Sequence, residues 1–404
     1  MENEIIKRQK YLDEILGFVD KPVIKVLTGI RRGGKSSLMQ MIKQHLVELS
    51  DSQESVLYIN FELLKYINIT NQQELAAHLK TVMTAKTRYI LLDEIQFVDG
   101  WEIVVNGLHA ARKYDIYITG SNSNLLSGEL STRLAGRFVE FHIGTLTFSE
   151  HLYFQKQLGE PNDVETEFNK YLRIGGFPVI QVAGMDAEQG DKIVADIYNS
   201  IILRDLVKRK SIRNTDQLDR IVKFALGNIG NTFSAKSIAD YLRSQNRQIN
   251  PETIYSYLDA LEEAFVIARV NRYDIRGKET LKTFEKFYVA DHSILRAVLG
   301  DSPEFTAGIL ENIVYNELLY RGYTVNIGKI ANKEIDFVAV KGRIVKYIQV
   351  AYKLDSIATV EREFGALSDL KNGEKLVITM EKDFRSPSND IQHHNLTDWL
   401  VGQD

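Results

Sequence analysis

The chain has 404 residues, of which 44% are hydrophobic, 10% aromatic and 26% charged, enough core formers for two to three globular domains and too many for a chain disordered throughout. Its 50 Lys and Arg against 54 Asp and Glu leave a net charge of −4, so any nucleic-acid surface must be a local patch. Cysteine is absent, which excludes disulfides, thiolate zinc sites, iron–sulfur clusters and cysteine nucleophiles.

The first residues are charged and hold no apolar core of signal-peptide length, and no later run reaches the roughly 18 apolar residues of a membrane span. A cytoplasmic chain with no membrane partner is expected. Residues 1–145 alternate short β-rich runs (23–28, 55–61, 88–92, 115–119, 138–143) with helical patterns such as 36–49 and 72–83. That alternation predicts an α/β core with a parallel sheet.

The first run ends in Gly29-Ile-Arg-Arg-Gly-Gly-Lys-Ser36, which fits G-x-x-x-x-G-K-[ST] at every fixed position. Glycines let backbone N–H groups curl around phosphates, and the helix that follows offers its N-terminus to the same charge. Candidate nucleotide contacts are therefore Gly29, Ile30, Arg31, Arg32, Gly33, Gly34, Lys35, Ser36 and Ser37. Lys35 suits the β- and γ-phosphates, and Ser36 suits Mg²⁺. A second apolar run, Tyr89-Ile-Leu-Leu-Asp-Glu94, delivers two carboxylates to the sheet edge where ligands bind. Asp93 is the expected Mg²⁺ partner, and Glu94 the base that polarises water. The run 115–119 leads into Gly120-Ser-Asn122, and Ser121, with Asn122 as second choice, would sit between the phosphates and that water. Arg133 and Arg137, with Arg137 preferred, are candidates to reach the γ-phosphate of a neighbouring subunit, which implies a homo-oligomer.

GIRRGGKSSLM, YINFE, YILLDEIQ, ITGSN and LAGR, in this order, resemble the AAA+/STAND-like P-loop ATPases of bacteria and archaea, and more narrowly a subgroup with a nuclease-like C-terminal domain of unknown function. The resemblance runs over essentially the whole chain. It implies a P-loop core with an additional strand and the order 5-1-4-3-2, with Lys35, Ser36, Asp93 and Glu94 as the ATP and Mg²⁺ residues. It also implies a helical lid over residues 146–212, in which the Gly-x-Pro element ending at Pro178 packs on adenine and Arg173 senses phosphate.

Residues 213–300 read as three helices and a two-stranded wing, a winged-helix pattern. The third helix, 251–264, carries Glu252, Asp259, Glu262 and Glu263 and no Lys or Arg, so phosphates repel it. The wing region 266–290 has Arg269, Arg272, Arg276, Lys278, Lys282 and Lys286 against Asp274, Glu279 and Glu285. Two readings stay open: DNA contact through Arg243, Arg247 and the wing, or a module that packs internally. Residues 301–404 resemble a restriction-endonuclease-like α/β domain, which needs a helix acid, a strand Asp and Glu-x-Lys on the next strand. Glu311 and Asp336 fit the first two positions, but the third reads Gln349-Val-Ala351. Lys353 is a displaced candidate for the amine. A second metal site at Glu311, Asp336 and Gln349 is thus expected to be degenerate.

The expected function is Mg²⁺-dependent ATP hydrolysis to ADP and phosphate, coupling nucleotide state to movement of the winged-helix and nuclease-like domains. The alternatives are a slow nucleotide-gated switch or scaffold that binds a protein partner, and a Mg²⁺-dependent nuclease.

Overall fold

The computed structural model of the chain describes residues 5–121, 136–159, 162–208, 212, 214–245, 247, 249–277 and 279–402. The chain divides into two units, residues 1–145 with 263–265, and residues 146–262 with 266–404.

In the first unit β1 (Ile24–Thr28), β2 (Val56–Asn60), β3 (Tyr89–Asp93), β4 (Asp115–Thr119) and β5 (Phe138–His142) form one sheet in the order β2-β3-β4-β1-β5. Every pairing is parallel. This is the order 5-1-4-3-2 expected from the resemblance. Strands covered on both faces read as unbroken apolar runs, and β1, β3 and β4 are buried along their whole length. The unit also holds α1 (Gln9–Leu16), α2 (Lys35–Ser50), α3 (Gln72–Val82) and α4 (Trp101–Ala110). Leu75 and Leu79 of α3, and Trp101 and Val105 of α4, share a core with Ile90 and Leu92 of β3. The register pairs Leu27 with Thr119 and Leu92 with Ile118, so the C-terminal ends of β1, β3 and β4 come level.

The second unit begins with α5 (Phe148–Gln157), α6 (Val164–Ile174), α7 (Pro178–Val182) and α8 (Ala187–Ile201). α8 runs on into a π-helical stretch, Ile202–Lys208. Then come α9 (Thr215–Gly227), α10 (Ala235–Ser244) and α11 (Pro251–Glu263), and a hairpin of β6 (Ile267–Asp274) and β7 (Glu279–Val289). Ser234 caps α10 through a reciprocal capping box with Ser237. After α12 (Ser293–Leu299) and α13 (Thr306–Tyr320) follow β8 (Thr324–Ile330), β9 (Lys333–Lys341), β10 (Ile344–Val350), α14 (Ile357–Ser368), β11 (Glu374–Thr379), β12 (Gln392–Asn395) and α15 (Leu396–Val401).

The hairpin read as a wing is the edge of a seven-stranded sheet, ordered β12-β11-β10-β9-β8-β6-β7. β6 pairs in parallel with β8, Arg272 opposite Ile327 and Tyr273 opposite Gly328. The sheet therefore runs on across residue 300. Ile335, Phe364, Leu367 and Val377 form a core between its C-terminal strands and α14. Among the described residues no helix is long and apolar enough to cross a membrane.

Candidate nucleotide-binding site

The loop after β1 carries the site. Gly29 has φ +131°, and a Cβ there would lie 2.1 Å from the Ile143 carbonyl oxygen. Only glycine fits. Gly34, at φ 101°, is the N-cap of α2. No side chain caps that helix, and its first turn holds no acid, so its leading N–H groups are left for an anion. The Lys35 ammonium is buried and donates to the Gly29 and Ile30 carbonyls at 2.9 and 3.0 Å. Burial lowers its pKa, while Glu94 and Asp93 pull the other way. A buried cation held only by carbonyls is an electrostatic receptor for phosphate. Arg31 pairs with Glu62 at 2.8 Å, and Arg32 takes a left-handed φ of 61°.

Because β1, β3 and β4 end level, Asp93 arrives beside Ser36 and Thr119. It is fully buried. Oδ1 accepts from Ser36 Oγ at 3.2 Å and Thr119 Oγ1 at 2.5 Å. Oδ2 accepts from Tyr58 at 2.8 Å and Asn60 at 2.9 Å. Burial raises the Asp93 pKa, against the hydrogen bonds from Thr119, Tyr58 and Ser36. The same burial, with the Asp93 charge, raises the Tyr58 phenol. A buried carboxylate facing a hydroxyl at the start of a helix fits a hydrated Mg²⁺.

Glu94 sits at φ 57°, a strained conformation for a side-chain-bearing residue. The Thr119 hydroxyl accepts its backbone N–H at 2.8 Å. Its carboxylate accepts from Ser121 Oγ at 3.2 Å and from Gln96 Nε2. Ser121 thus lies beside Glu94; Asn122 and Arg133 lie outside the described residues. Arg137 is exposed, immediately before β5, and donates to Asn106 at 3.2 Å. Since β5 runs parallel to β1, Arg137 stands at the sheet edge opposite the loop, with the five residues of a strand, about 16 Å, between them.

Sequence reasoning missed several contributors. Arg8 is buried and donates to the carbonyls of Gly33 at 3.0 Å, Gly144 at 2.7 Å and Thr145 at 3.1 Å. It ties the loop to the residues after β5. Tyr58, Asn60 and Thr119, which hold Asp93, were not singled out either, though all three fall inside the YINFE and ITGSN runs.

In the second unit Arg173 is exposed on α6, and Pro178 opens α7. Gly175, at φ +71°, caps α6, and Asp291 accepts the Gly176 N–H at 2.8 Å. Glu311 and Asp336 do come together, but around Lys286 Nζ, at 2.9 and 3.1 Å. Gln349 accepts the Asp336 N–H at 2.7 Å and donates to Glu363 at 2.8 Å. Lys353 lies beyond the end of β10, exposed, 5.3 Å over the Tyr352 ring, not on the strand face expected for it. Among the described residues no group of three or more His, Asp or Glu side chains is arranged to hold a metal ion.

The profile of a family described as an AAA domain matches residues 21–152, and that of a domain of unknown function, DUF8612, matches residues 165–304. An uncharacterized protein of Haemophilus influenzae is 36% identical over 404 residues, covering 99% of this chain and all of that one. The chain belongs to the same family. A second member, the uncharacterized protein MJ1544 of Methanocaldococcus jannaschii, is 32% identical over 415 residues, covering 97% of this chain and 90% of that one. Among solved structures, the Walker-type ATPase PABY2304 of Pyrococcus abyssi is similar with a TM-score of 0.47 and 15% identity, covering 73% of this chain and 96% of that one. The matched AAA domain falls on the five-stranded sheet and its loop.

Proposed function

We propose that the chain binds ATP along Gly29–Ser37 and hydrolyses it to ADP and phosphate. One observation carries this reading: Lys35, Ser36, Asp93 and Glu94 converge where β1 and β3 end, inside an AAA domain. Lys35 binds the β- and γ-phosphates. Ser36 and Asp93 hold Mg²⁺, which when bound neutralises phosphate charge. Glu94 orients and polarises the attacking water, and Ser121 positions Glu94. Gln96 and Ser121 both donate to Glu94 Oε2, which orients the carboxylate. Arg137 serves the nucleotide of a neighbouring copy. Arg173 and Pro178 act in a lid over 146–212.

In this reading residues 213–300 form a winged helix and 301–404 a degenerate nuclease-like domain, and both respond to nucleotide state. Their partner is a protein. DNA contact is the runner-up, because four of the eight basic residues invoked for it, Arg243, Arg247, Arg269 and Lys286, are paired with acids of the same chain or buried. Arg247 and Arg220 both pair with Asp216, Arg243 pairs with Asp240, Arg269 pairs with Asp259 and Glu262, and Lys286 is buried.

The test is ATP turnover with Mg²⁺, comparing the parent chain with Glu94→Gln, with and without DNA. Turnover lost in the variant with nucleotide binding retained is expected, and no response to DNA. Stimulation by DNA would move the partner to the wing. Stoichiometric nucleotide with negligible turnover would replace the hydrolase by the nucleotide-gated switch.

A further inference from the structure

The seven-stranded sheet gathers three carboxylates on one buried ammonium. Glu334 and Asp336 are two residues apart on β9, so they share a face, and Glu311 comes down from α13. Lys286, on β7 at the sheet's edge, reaches all three: 2.9 Å to Glu311, 3.0 Å to Glu334 and 3.1 Å to Asp336. An ammonium has three N–H donors, and here three acids stand within reach to take them. Lys286 is 3% exposed, against 12% for Glu311 and 15% for Asp336. The Tyr288 hydroxyl also donates to Glu311.

Three carboxylates brought this close, two of them largely out of water and Glu334 35% exposed, repel one another unless a cation joins them. Magnesium is one solution, and it would ask for open oxygen ligands. Several of the oxygens here are already taken: one of Glu311, one of Glu334 and both of Asp336. Asp336 Oδ2 accepts the Val350 N–H at 3.0 Å. Gln349 Oε1, the remaining oxygen of the expected metal set, takes the Asp336 N–H, and its amide goes to Glu363. Burial works against the charge on Lys286, but the three acids outweigh it and hold its pKa above the ordinary lysine value.

The geometry points to Lys286 as a built-in cation that takes the place of a divalent metal ion in this cluster. It offsets part of the acids' charge and fixes α13 and β7 against β9. With its donors committed, it polarises neither water nor phosphate. This rests on the reading of residues 301–404 as a degenerate nuclease-like domain. It adds that the charge of one lysine is what keeps metal out.

The experiment measures Mn²⁺ binding to the nucleotide-free full chain by electron paramagnetic resonance. An Asp93→Asn background removes the loop's own metal contact, and ATP turnover is no part of the readout. Lys286→Met is expected to bind one more Mn²⁺ per chain than its parent, and Lys286→Met with Asp336→Asn to lose it again. A parent that already binds Mn²⁺ through Asp336 would overturn the assignment, as would a folded Lys286→Met that binds none. Should Lys286→Met be unfolded without metal, recovery of its melting transition on adding Mn²⁺ supports the assignment, and failure to recover overturns it.

Discussion

Gly29 is where a single added carbon does most harm in the first unit. Its φ of +131° is strained for any other residue, and the obstructing atom is a backbone carbonyl oxygen, Ile143 O, which no side-chain rotation can move aside. Gly29→Ala should therefore push the loop away from β5 and weaken nucleotide affinity at least about tenfold, or about 1.4 kcal/mol; isothermal titration with ATP checks this, and unchanged affinity would show that the loop's conformation is not limiting. A second residue-scale prediction concerns His151, fully buried in the second unit, where Nε2 stands 2.7 Å from Glu167 Oε2 and Nδ1 has no partner. Burial depresses its pKa, against Glu167 and with help from Lys170. A depressed folded pKa means stability that is present above about pH 6.5 and lost as pH falls toward the folded value. His151→Gln cannot titrate. The parent should lose stability relative to it by up to about 1.4 kcal/mol per pH unit below 6.5, read from denaturant melts at pH 7.5, 6.5 and 5.5. A difference that stays constant with pH would remove His151 as the cause.

Among elements, the loop of the first unit is steadied from the chain's beginning. Arg8, just before α1, closes three backbone carbonyls and stacks 4.5 Å over the Tyr11 ring. Arg8→Ala leaves those carbonyls without their donor and should cost about 3 kcal/mol of stability while raising KM for ATP more than it lowers kcat. Equal losses in a lysine replacement would mean that charge alone does not suffice and the guanidinium fork is required; a normal KM in Arg8→Ala would sink the link to the loop. This element also shows what a sequence makes visible. The loop–helix of Gly29–Ser50 is legible because phosphate chemistry fixes residue types at fixed spacing. Helices α3, α6 and α10 announce themselves through the caps Asn71, Asp163 and Ser234. Helices α1 and α4 begin at Arg8 and Gly100 with no side-chain cap, so nothing local marks them. The roles of Arg8 and Tyr58, and the acid partners of Lys286, which reads from sequence only as a basic residue of the wing, escaped notice because the partners lie 25 to 137 residues away. The wing was legible as a hairpin, but its pairing with β8 is set by residues some fifty positions on.

At the scale of the whole molecule, the position of Arg137 decides whether activity belongs to one chain or to several. Within its own chain it lies across the sheet from the loop and donates to Asn106 at the surface, too far for a direct role at its own γ-phosphate. If Arg137 stabilises transition-state charge, as proposed, it does so in another copy. Turnover per chain should rise with protein concentration. Arg137→Ala should lower it about a hundredfold or more without weakening ATP binding, in line with the worth of arginine fingers elsewhere. Complementation separates this from a folding defect. Arg137→Ala keeps Glu94, Glu94→Gln keeps Arg137, and in a mixed assembly some sites receive both. Mixing two inactive variants should restore measurable turnover, with an optimum near equal amounts. If neither concentration nor mixing alters turnover, Arg137 is a surface residue paired with Asn106 and the hydrolytic site is complete within one chain.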